Sequence, residues 1–395
     1  MLMVSDMLEL ATGRTRPVEV TARAPARYQT TADAPFVVVW NVCRHCNMTC
    51  PHCYAAAGPR ASRQDLSTEE GRRLIDELAE AGVRYLIFSG GEPLLRDDLL
   101  ELVAHARDRG VAPQLSSNGV LIDAETAARL AGAGVTYVGV SIDGLPAFND
   151  AYRGLADGFT RAVQGIVHAQ RAGMRTGLRT TVTRRNAEQL EAMIDLAREI
   201  PVDRFYVSHL VYSGRGRRLA DADLAPSDAR ALLHRYFERA EALLEAGEER
   251  PKLVTGGNDS DGPALVRWIE RRMGTPAAQR VHAVLERRGG NSAGERVLCI
   301  DHRGRVHPDQ FWQAATLGDV RRQPFVEILA HPLREQLRRR EAQLGGRCGT
   351  CPFKAICRGS HRERALVATG DPWAPDPACV MTDAEVQSAT LEATA

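Results

Sequence analysis

The stretch FVVVWNVCRHCNMTCPHCY (36–54) joins an apolar run to a dense group of cysteines. Its first part, FVVVWNV (36–42), is short and rich in β-branched and aromatic residues, which predicts a buried strand. Cys46, Cys50 and Cys53 follow it at the spacing C-x3-C-x2-C. The stretch therefore predicts a strand whose carboxyl end leads directly into a loop of thiols.

The pattern that begins with this strand continues along the chain. From residue 36 to about residue 211, short apolar runs alternate with amphipathic helical segments, which is typical of βα units in a parallel sheet. Six such units predict an α/β fold with an open, partial (β/α)6 TIM-like barrel, because closure requires eight. The predicted strands cover 36–42, 84–90, 112–118, 137–143, 175–183 and 204–211.

The ends of these strands predict where a functional site lies. Each predicted strand ends in polar or glycine residues, such as SGGEP after the second strand and SSNG after the third. In parallel barrels the reacting groups sit at the carboxyl ends of the strands. We therefore expect the site at that edge of the sheet.

The length of the chain limits the number of domains, and its net charge limits the kinds of partner. The 395 residues are enough for one large α/β domain and a smaller extension. We predict an N-terminal arm (1–34), a barrel with a linker (35–290) and a C-terminal cysteine-containing domain (291–395). The 51 basic and 50 acidic residues nearly cancel, which gives no case for a nucleic-acid partner.

The sequence also bears on the cellular compartment. The first ten residues lack the positive segment and long apolar segment of a signal peptide, and no run of eighteen apolar residues predicts a membrane span. We therefore expect a cytoplasmic protein with no membrane partner. Thiols stay reduced there, so the nine cysteines predict metal ligands or reactive groups rather than disulfides.

The cysteines form two groups, at 43, 46, 50 and 53 and at 348, 351, 357 and 379, which predicts two inorganic sites. In the first group, three thiolates can bind three irons of a [4Fe–4S] cluster and leave the fourth iron open to a ligand that bears an amine and a carboxylate. A zinc knuckle is the alternative. Structural zinc prefers four protein ligands, and no fourth is obvious nearby unless Cys43 or His52 serves.

The motif CNMTCPHCY (46–54) and the motif GGEP (90–93) after the second strand resemble those of the radical S-adenosylmethionine (SAM) superfamily. The resemblance covers most of the chain. It implies that the three motif cysteines hold a [4Fe–4S] cluster whose open iron binds SAM. It leaves Cys43 as a spare thiol close to the cluster, with His45 and His52 around it.

The same resemblance implies a set of SAM contacts. Tyr54 stands where the family has an aromatic residue near the adenine, and Glu92 can accept a charge-assisted hydrogen bond from the SAM ammonium. Glycines let the backbone approach closely. The positions implied to contact SAM or, at the later strands, the substrate are Tyr54, Gly90, Gly91, Glu92, Pro93, Ser117, Asn118, Ser141, Asp143 and Arg179.

The second cysteine group has the spacing C-x2-C-x5-C with a distant fourth member. Four thiols fit a structural zinc ribbon, but beside the radical SAM motif the pattern resembles a SPASM-type extension, which carries auxiliary [4Fe–4S] clusters. Asp309 and His361 stand where that pattern has cysteines, so we expect one auxiliary cluster to be lost and two [4Fe–4S] clusters in total. The implied ligands of the auxiliary cluster are Cys348, Cys351, Cys357 and Cys379.

Segments near the C-terminus narrow the resemblance. VHPDQFWQ (306–313), LGDVRRQPF (317–325) and GDPWAPDPAC (370–379) resemble the NirJ family, the radical SAM enzymes of haem d1 biosynthesis. The resemblance implies an iron tetrapyrrole substrate, didecarboxysirohaem, whose propionate side chains are modified or removed by means of a 5′-deoxyadenosyl radical. It also implies a reductant such as flavodoxin or ferredoxin.

A flat substrate fringed with carboxylates is expected to meet arginine or lysine. Arg215 and Arg217 lie in the GRGRR loop after the sixth strand and are predicted to bind substrate, with a solvated charge run as the alternative. His209 and Tyr212, at the end of that strand, are predicted to serve as an axial iron ligand or a proton donor, with a structural role as the alternative. His307 carries the same two interpretations.

Two other functions compete with this hypothesis. A peptide-modifying SPASM enzyme would use the same radical. The arm before Phe36 is too short for a peptide-recognition domain, although a separate protein could supply one. A non-catalytic iron–sulfur or tetrapyrrole carrier would have no need of the GGEP contact to SAM. Both alternatives are less consistent with the motifs than a tetrapyrrole-modifying enzyme.

Overall fold

The computed structural model describes residues 1–14 and 35–387. Its strands are β1 (Leu2–Met3), β2 (Val37–Asn41), β3 (Tyr85–Ser89), β4 (Ala112–Ser117), β5 (Tyr137–Ser141), β6 (Arg175–Val182), β7 (Arg204–His209), β8 (Lys252–Gly256), β9 (Val297–Ile300), β10 (Arg305–His307) and β11 (Gly318–Asp319). They form one mixed sheet in the order β1-β8-β7-β6-β5-β4-β3-β2-β9-β10-β11.

The strands from β2 to β8 are parallel neighbours in chain order. The six predicted strands correspond to β2 through β7, which confirms the predicted α/β class and its parallel barrel-type sheet. β8 adds a seventh parallel strand, which was not among the six predicted from the sequence. The sequence pattern does not indicate β8, because the strand ends and the next helix begins within the turn-rich segment 255–263.

Helices connect the strands and cover the sheet. The second of them begins at a capping box in which Ser67 and Glu70 exchange side-chain and backbone hydrogen bonds, and it buries Leu74, Ile75 and Leu78. The helices are α1 (Val4–Ala11), α2 (Thr68–Glu80), α3 (Leu99–Asp108), α4 (Ala124–Ala133), α5 (Pro146–Arg153), α6 (Gly158–Arg171), α7 (Leu190–Glu199), α8 (Pro226–Glu245), α9 (Asp261–Met273), α10 (Thr275–Arg288), α11 (Phe325–Ile328), α12 (Pro332–Arg338), α13 (Gly346–Gly349), α14 (Lys354–Cys357), α15 (Arg362–Thr369) and α16 (Asp383–Gln387).

The first residues of the chain are part of the packed fold. β1 pairs with β8, and α1 buries Met7 and Leu8 completely. The spacing of Val4, Met7, Leu8 and Ala11 is that of a helix with one apolar face. The arm predicted over residues 1–34 thus differs from the structure over its first part, and residues 15–34 lie outside the described residues.

The sheet is continuous across the boundary predicted near residue 290. β9 pairs in parallel with β2, and β10 pairs antiparallel with β9. In the pairing of β2 with β9, Cys299 lies opposite Val39 and is fully buried. The division into three domains stays a prediction. None of the helices in the described residues is long and apolar enough to cross a membrane.

Candidate active site at the carboxyl edge of the sheet

The first cysteine loop follows β2 directly. It is closed by a hydrogen bond from the Cys46 amide to the carbonyl of Gly58, 2.8 Å long. The thiols of Cys46, Cys50 and Cys53 are all free, the first two buried and the third half-buried. Burial raises the pKa of Cys46 to about 12, so its thiolate requires a compensating positive charge. A metal supplies that charge, and the three-thiol donor set fits an iron–sulfur cluster.

The GGEP loop after β3 packs against the cysteine loop. The amides of Gly91 and Glu92 each donate to it, to the carbonyls of Cys43 and His45, at 2.8 Å. A Cβ atom on Gly91 would lie 2.0 Å from the His45 carbonyl oxygen, and one on Gly90, whose φ is +140°, would lie 2.6 Å from that of Cys43. Only glycine permits this approach at either position. The two predicted motifs are therefore joined through their backbones.

Cys43 helps to hold the two loops together. Its buried thiol lies 3.4 Å from the carbonyl of Glu92 and 3.5 Å from that of His45, close enough to donate to either. Burial raises the pKa of Cys43 to about 12, which keeps the thiol protonated at neutral pH. This geometry fits the prediction that Cys43 lies near the first cluster without being one of its ligands.

Glu92 links the predicted SAM-binding positions at the ends of two neighbouring strands, β3 and β4. Its carboxylate is fully buried and accepts hydrogen bonds from the Ser117 hydroxyl (2.8 Å), the Asn118 amide (2.8 Å) and the Leu94 amide (3.2 Å). Burial raises the pKa of Glu92. A carboxylate has about four acceptor positions, so one remains for a further donor. The predicted contact of Glu92 with the SAM ammonium stays a prediction.

Asp143 is engaged by the chain itself. Its Oδ2 accepts from Arg153 Nη1 at 2.7 Å and lies 3.2 Å from His52 Nε2, while Oδ1 accepts from the Thr181 amide at 2.9 Å. Although burial opposes ionisation, His52 and Arg153 hold the pKa of Asp143 below its ordinary value. The structure thus places this residue in an internal ion pair, and the predicted contact with SAM or substrate is untested.

Arg153 is a residue of the site that the motifs do not indicate. It ends α5, about 100 residues after the cysteine loop, and its side chain is buried. Its Nε lies 3.5 Å from Met48 Sδ, and its carbonyl accepts from the Thr49 amide at 3.1 Å. Arg153 therefore braces the cysteine loop through both its side chain and its backbone.

Substituting Arg153→Met is expected to lower the free energy of unfolding by about 3–5 kcal/mol, because the buried Asp143 carboxylate loses its guanidinium partner and keeps only His52 and the Thr181 amide beside it. The low pKa of Asp143 means that the pair stabilises the fold at neutral pH and that this stability is lost as the pH falls below about 4. The wild type should therefore lose more stability on acidification than the variant. Urea unfolding at pH 7 and at about pH 2 measures both effects.

Arg72→Met provides the matched control. Arg72 pairs with Glu101 at 2.8 Å, but about half of each side chain is exposed. Loss of such a surface pair is expected to change stability by less than about 1 kcal/mol. If the Arg153 variant were no less stable than this control, the bracing role would be contradicted.

The other predicted SAM positions lie at neighbouring strand ends. The Tyr54 hydroxyl donates to Asn41 Oδ1 at 2.9 Å and lies 3.1 Å from Ser89 Oγ. Arg179 donates to a hydroxyl on β4 at 2.8 Å, and Ser141 is its register partner on β5. The structure therefore brings these residues to one edge. Their contacts with SAM are not tested.

The GRGRR loop packs directly against the cysteine loop. Arg215 donates from Nε to the Cys50 carbonyl at 2.8 Å and from Nη1 to the Ala57 carbonyl. A Cβ on Gly214 would lie 2.2 Å from the Tyr54 carbonyl oxygen. The guanidinium predicted to bind substrate is thus already used to hold the cysteine loop. Arg217 is half exposed and donates to Glu363 at 2.6 Å.

The side chains predicted for catalysis have internal partners. His209 is buried, and its Nε2 lies 3.1 Å from Asp261 Oδ2. The Tyr212 hydroxyl donates to Asp223 at 2.9 Å. His307 is fully buried, with Nδ1 2.7 Å from a backbone carbonyl. These contacts favour the structural interpretation of both histidines, although a catalytic role for His209 or Tyr212 is untested.

The second cysteine group lies in short helices and loops beyond the sheet. Its four thiols are free and half-buried, and burial raises the pKa of each. The thiol charges of Cys348, Cys351 and Cys357 each interact with another member of the group. In the described part of the chain, no three His, Cys, Asp or Glu side chains converge on a position for one metal ion. The donor set fits a cluster with full cysteine ligation.

Comparison with known proteins identifies the family. Residues 40–197 match the family model of the radical SAM superfamily, and residues 292–352 match that of an iron–sulfur cluster-binding domain, SPASM. The chain is 41% identical to pre-heme d1 synthase of Dinoroseobacter shibae over 90% of its own length and 88% of that protein. The chain belongs to the radical SAM superfamily. Its cofactors are therefore SAM and [4Fe–4S] clusters.

This radical SAM enzyme is also similar to a second relative and to a solved structure. It is 40% identical to Fe-coproporphyrin III synthase of Methanosarcina barkeri over 91% of each chain. The crystal structure of Streptococcus suis SuiB bound to S-adenosylmethionine superposes with a TM-score of 0.69, at 18% identity over 88% of this chain and 78% of that one. The likeness to SuiB supports the fold alone.

Proposed function

We propose that this radical SAM enzyme acts on an iron tetrapyrrole, modifying or removing propionate side chains of didecarboxysirohaem on the route to haem d1. The observation that carries the proposal is the 41% identity to pre-heme d1 synthase, which extends over 90% of the chain and 88% of that protein. Short motifs alone support only the superfamily, whereas identity over this length supports the substrate class.

The residues at the carboxyl edge of the sheet have separate tasks in this proposal. Cys46, Cys50 and Cys53 hold the first cluster, and the cluster with SAM supplies a 5′-deoxyadenosyl radical when bound. Glu92 is fixed by three hydrogen bonds and presents its remaining acceptor position to the SAM ammonium. Arg215 keeps the cysteine loop in place from the opposite side. The chain thereby orients the cofactor and excludes water from the reacting groups.

Arg217 is the better candidate of the two predicted substrate arginines. Its guanidinium is half exposed, and the buried carboxylate of Glu363 holds it in position at 2.6 Å. A fixed, accessible guanidinium can form a bidentate contact with a substrate propionate. Arg215 lacks this freedom, because its guanidinium donates to two carbonyls of the cysteine loop.

The second cysteine group is assigned to electron transfer. Full ligation by Cys348, Cys351, Cys357 and Cys379 leaves no open iron for substrate, so we infer two [4Fe–4S] clusters with different tasks. A cluster held by Cys46, Cys50 and Cys53 would supply the reducing electron, taken from a reductant such as flavodoxin or ferredoxin. A cluster held by the second cysteine group would supply an acceptor for the electron that remains after bond cleavage.

The 40% identity to Fe-coproporphyrin III synthase favours a second candidate within the same substrate class, a synthase whose product is iron coproporphyrin III. Both candidates are tested by one assay. The reconstituted enzyme is incubated with SAM, dithionite and didecarboxysirohaem in the absence of oxygen, and 5′-deoxyadenosine and tetrapyrrole masses are followed. We expect the tetrapyrrole mass to change in proportion to 5′-deoxyadenosine.

The product mass separates the candidates, since iron coproporphyrin III can be identified against a standard. Release of 5′-deoxyadenosine without any change in the tetrapyrrole would contradict both and would favour the peptide-modifying alternative. Absence of 5′-deoxyadenosine under every condition would favour a carrier.

A further inference from the structure

His361 and Asp309 lie together although 52 positions separate them in the chain. His361 Nδ1 is 3.9 Å from Asp309 Oδ2, and each residue is only 7% exposed. The other carboxylate oxygen of Asp309 accepts from the amides of Phe311 and Trp312, at 2.8 and 2.7 Å. These two bonds fix the carboxylate, so that Oδ2 faces the imidazole.

The imidazole of His361 has a free nitrogen. In the part of the chain that the structure describes, its ring contacts are Asp309 and the edge of Phe311, at a centroid distance of 5.3 Å, and no hydrogen bond engages Nε2. Burial lowers the pKa of His361, which favours the neutral form with a lone pair. His209 differs, because its Nε2 is already paired with Asp261.

Aromatic contacts connect His361 to the first cysteine loop. Phe311 packs edge-on against His361 on one side and against Tyr54 on the other, with centroids 5.3 and 5.4 Å apart. Tyr54 is the residue next to Cys53. His361 thus lies two aromatic contacts away from the loop that holds the first cluster, on the side of the C-terminal segment.

We propose that His361, whose ring lies beside Asp309, is an axial ligand to the iron of the tetrapyrrole substrate. The inference rests on the proposed function and adds a residue to it. Neutral imidazole is a good ligand for iron. The 3.9 Å between His361 Nδ1 and Asp309 Oδ2 is longer than a hydrogen bond, and its shortening on iron binding would give the carboxylate–histidine pair usual at metal sites. Asp309 at Nδ1 leaves Nε2 for the iron.

The neighbourhood of His361 also suits the rest of such a substrate. Glu363, two positions further on, is buried and holds the half-exposed guanidinium of Arg217. One short segment therefore positions both an iron ligand and a partner for a propionate. Phe311 offers an apolar surface of the kind that a flat macrocycle packs against.

Binding of didecarboxysirohaem and of its metal-free form to the full-length holoenzyme tests the proposal. For the His361→Ala variant we expect the Kd of the iron form to rise at least about tenfold, the scale on which loss of even an outer partner weakens a metal site. The absorption spectrum of the bound iron should change, and added imidazole should restore it. The Kd of the metal-free form should stay as in the wild type, which also shows that the variant is folded.

His168→Ala is the matched control, since His168 lies half-buried on α6, away from the C-terminal segment. It should leave both Kd values unchanged. Asp309→Asn should weaken binding of the iron form less than His361→Ala does. Wild-type affinity and spectrum in the His361 variant would overturn the proposal while leaving the proposed function intact.

Two other outcomes are equally decisive. If His361→Ala lowered the iron content of the reconstituted protein by about four atoms, His361 would be a cluster ligand rather than a substrate ligand. If the wild type bound neither tetrapyrrole, the proposed function itself would fail, and this inference with it.

Discussion

Replacing Cys50 by alanine is expected to reduce 5′-deoxyadenosine formation to background and to remove about four iron atoms per chain. Cys50 is buried in the loop after β2, and its thiol is free of any disulfide. Two thiolates hold a cluster much less firmly than three, and the reaction depends on this cluster. Iron analysis and the electron paramagnetic resonance spectrum of the reduced protein measure the loss directly.

Cys43→Ala is the matched control for this experiment. Cys43 is as buried as Cys50 and lies in the same loop, but its thiol contacts the carbonyls of His45 and Glu92. We expect this variant to keep its iron and most of its activity, with a modest loss of stability from the missing contacts. Equal loss of iron in the two variants would contradict the assignment of Cys46, Cys50 and Cys53 as the ligand set.

The parallel sheet could be predicted because each of its strands carries its own signal. A strand covered on both faces is a short apolar run, and the chain becomes polar at or directly after the last residue of each strand from β2 to β7. β8 lacks this separation, because its last residues are also the first of a glycine-rich turn. α1 was not predicted from the sequence for a different reason. Its apolar positions follow a helical spacing, but the polar, arginine-rich stretch after it dominates the composition of residues 1–34.

The site could be predicted only where its residues form local motifs. The cysteine loop and GGEP are contiguous, and the backbone contacts between them explain why the second motif needs glycines. Arg153 carries no such signal, since its position beside Met48 and Asp143 arises from the packing of α5 against the cysteine loop. Residue type likewise does not reveal that Arg215 donates to the loop while Arg217 stays half exposed.

The pair of His361 and Asp309 illustrates the same limit. Each position is visible in the sequence as a departure from the SPASM pattern, which predicts the loss of a cluster. Their proximity, and the free nitrogen that results, depend on how the C-terminal segment folds back over the residues after β10. A departure from a pattern can therefore indicate what is missing, but only the structure shows what the replacement residues do together.

Substituting Cys351→Ala is expected to separate radical formation from product formation. The variant should lose the iron of the second cluster, about four atoms, and keep that of the first. Cys351 lies between α13 and α14, outside every strand of the sheet, so its loss leaves the carboxyl edge in place. We therefore expect 5′-deoxyadenosine to be released still, whereas conversion of the tetrapyrrole falls to a small fraction of the wild-type yield.

The physical reason is the electron that remains after the radical step. With no second cluster to accept it, the substrate radical would be quenched by an electron from dithionite and a proton, which regenerates the substrate, so that SAM would be consumed without product. Cys299→Ala is the control for the loss of a buried thiol outside the second cysteine group, and it should leave the ratio of 5′-deoxyadenosine to product unchanged. The ratio of 5′-deoxyadenosine to product, measured by mass spectrometry, is the deciding quantity. A ratio that stayed at the wild-type value would assign the second cluster a structural role, since coupling would then not depend on it.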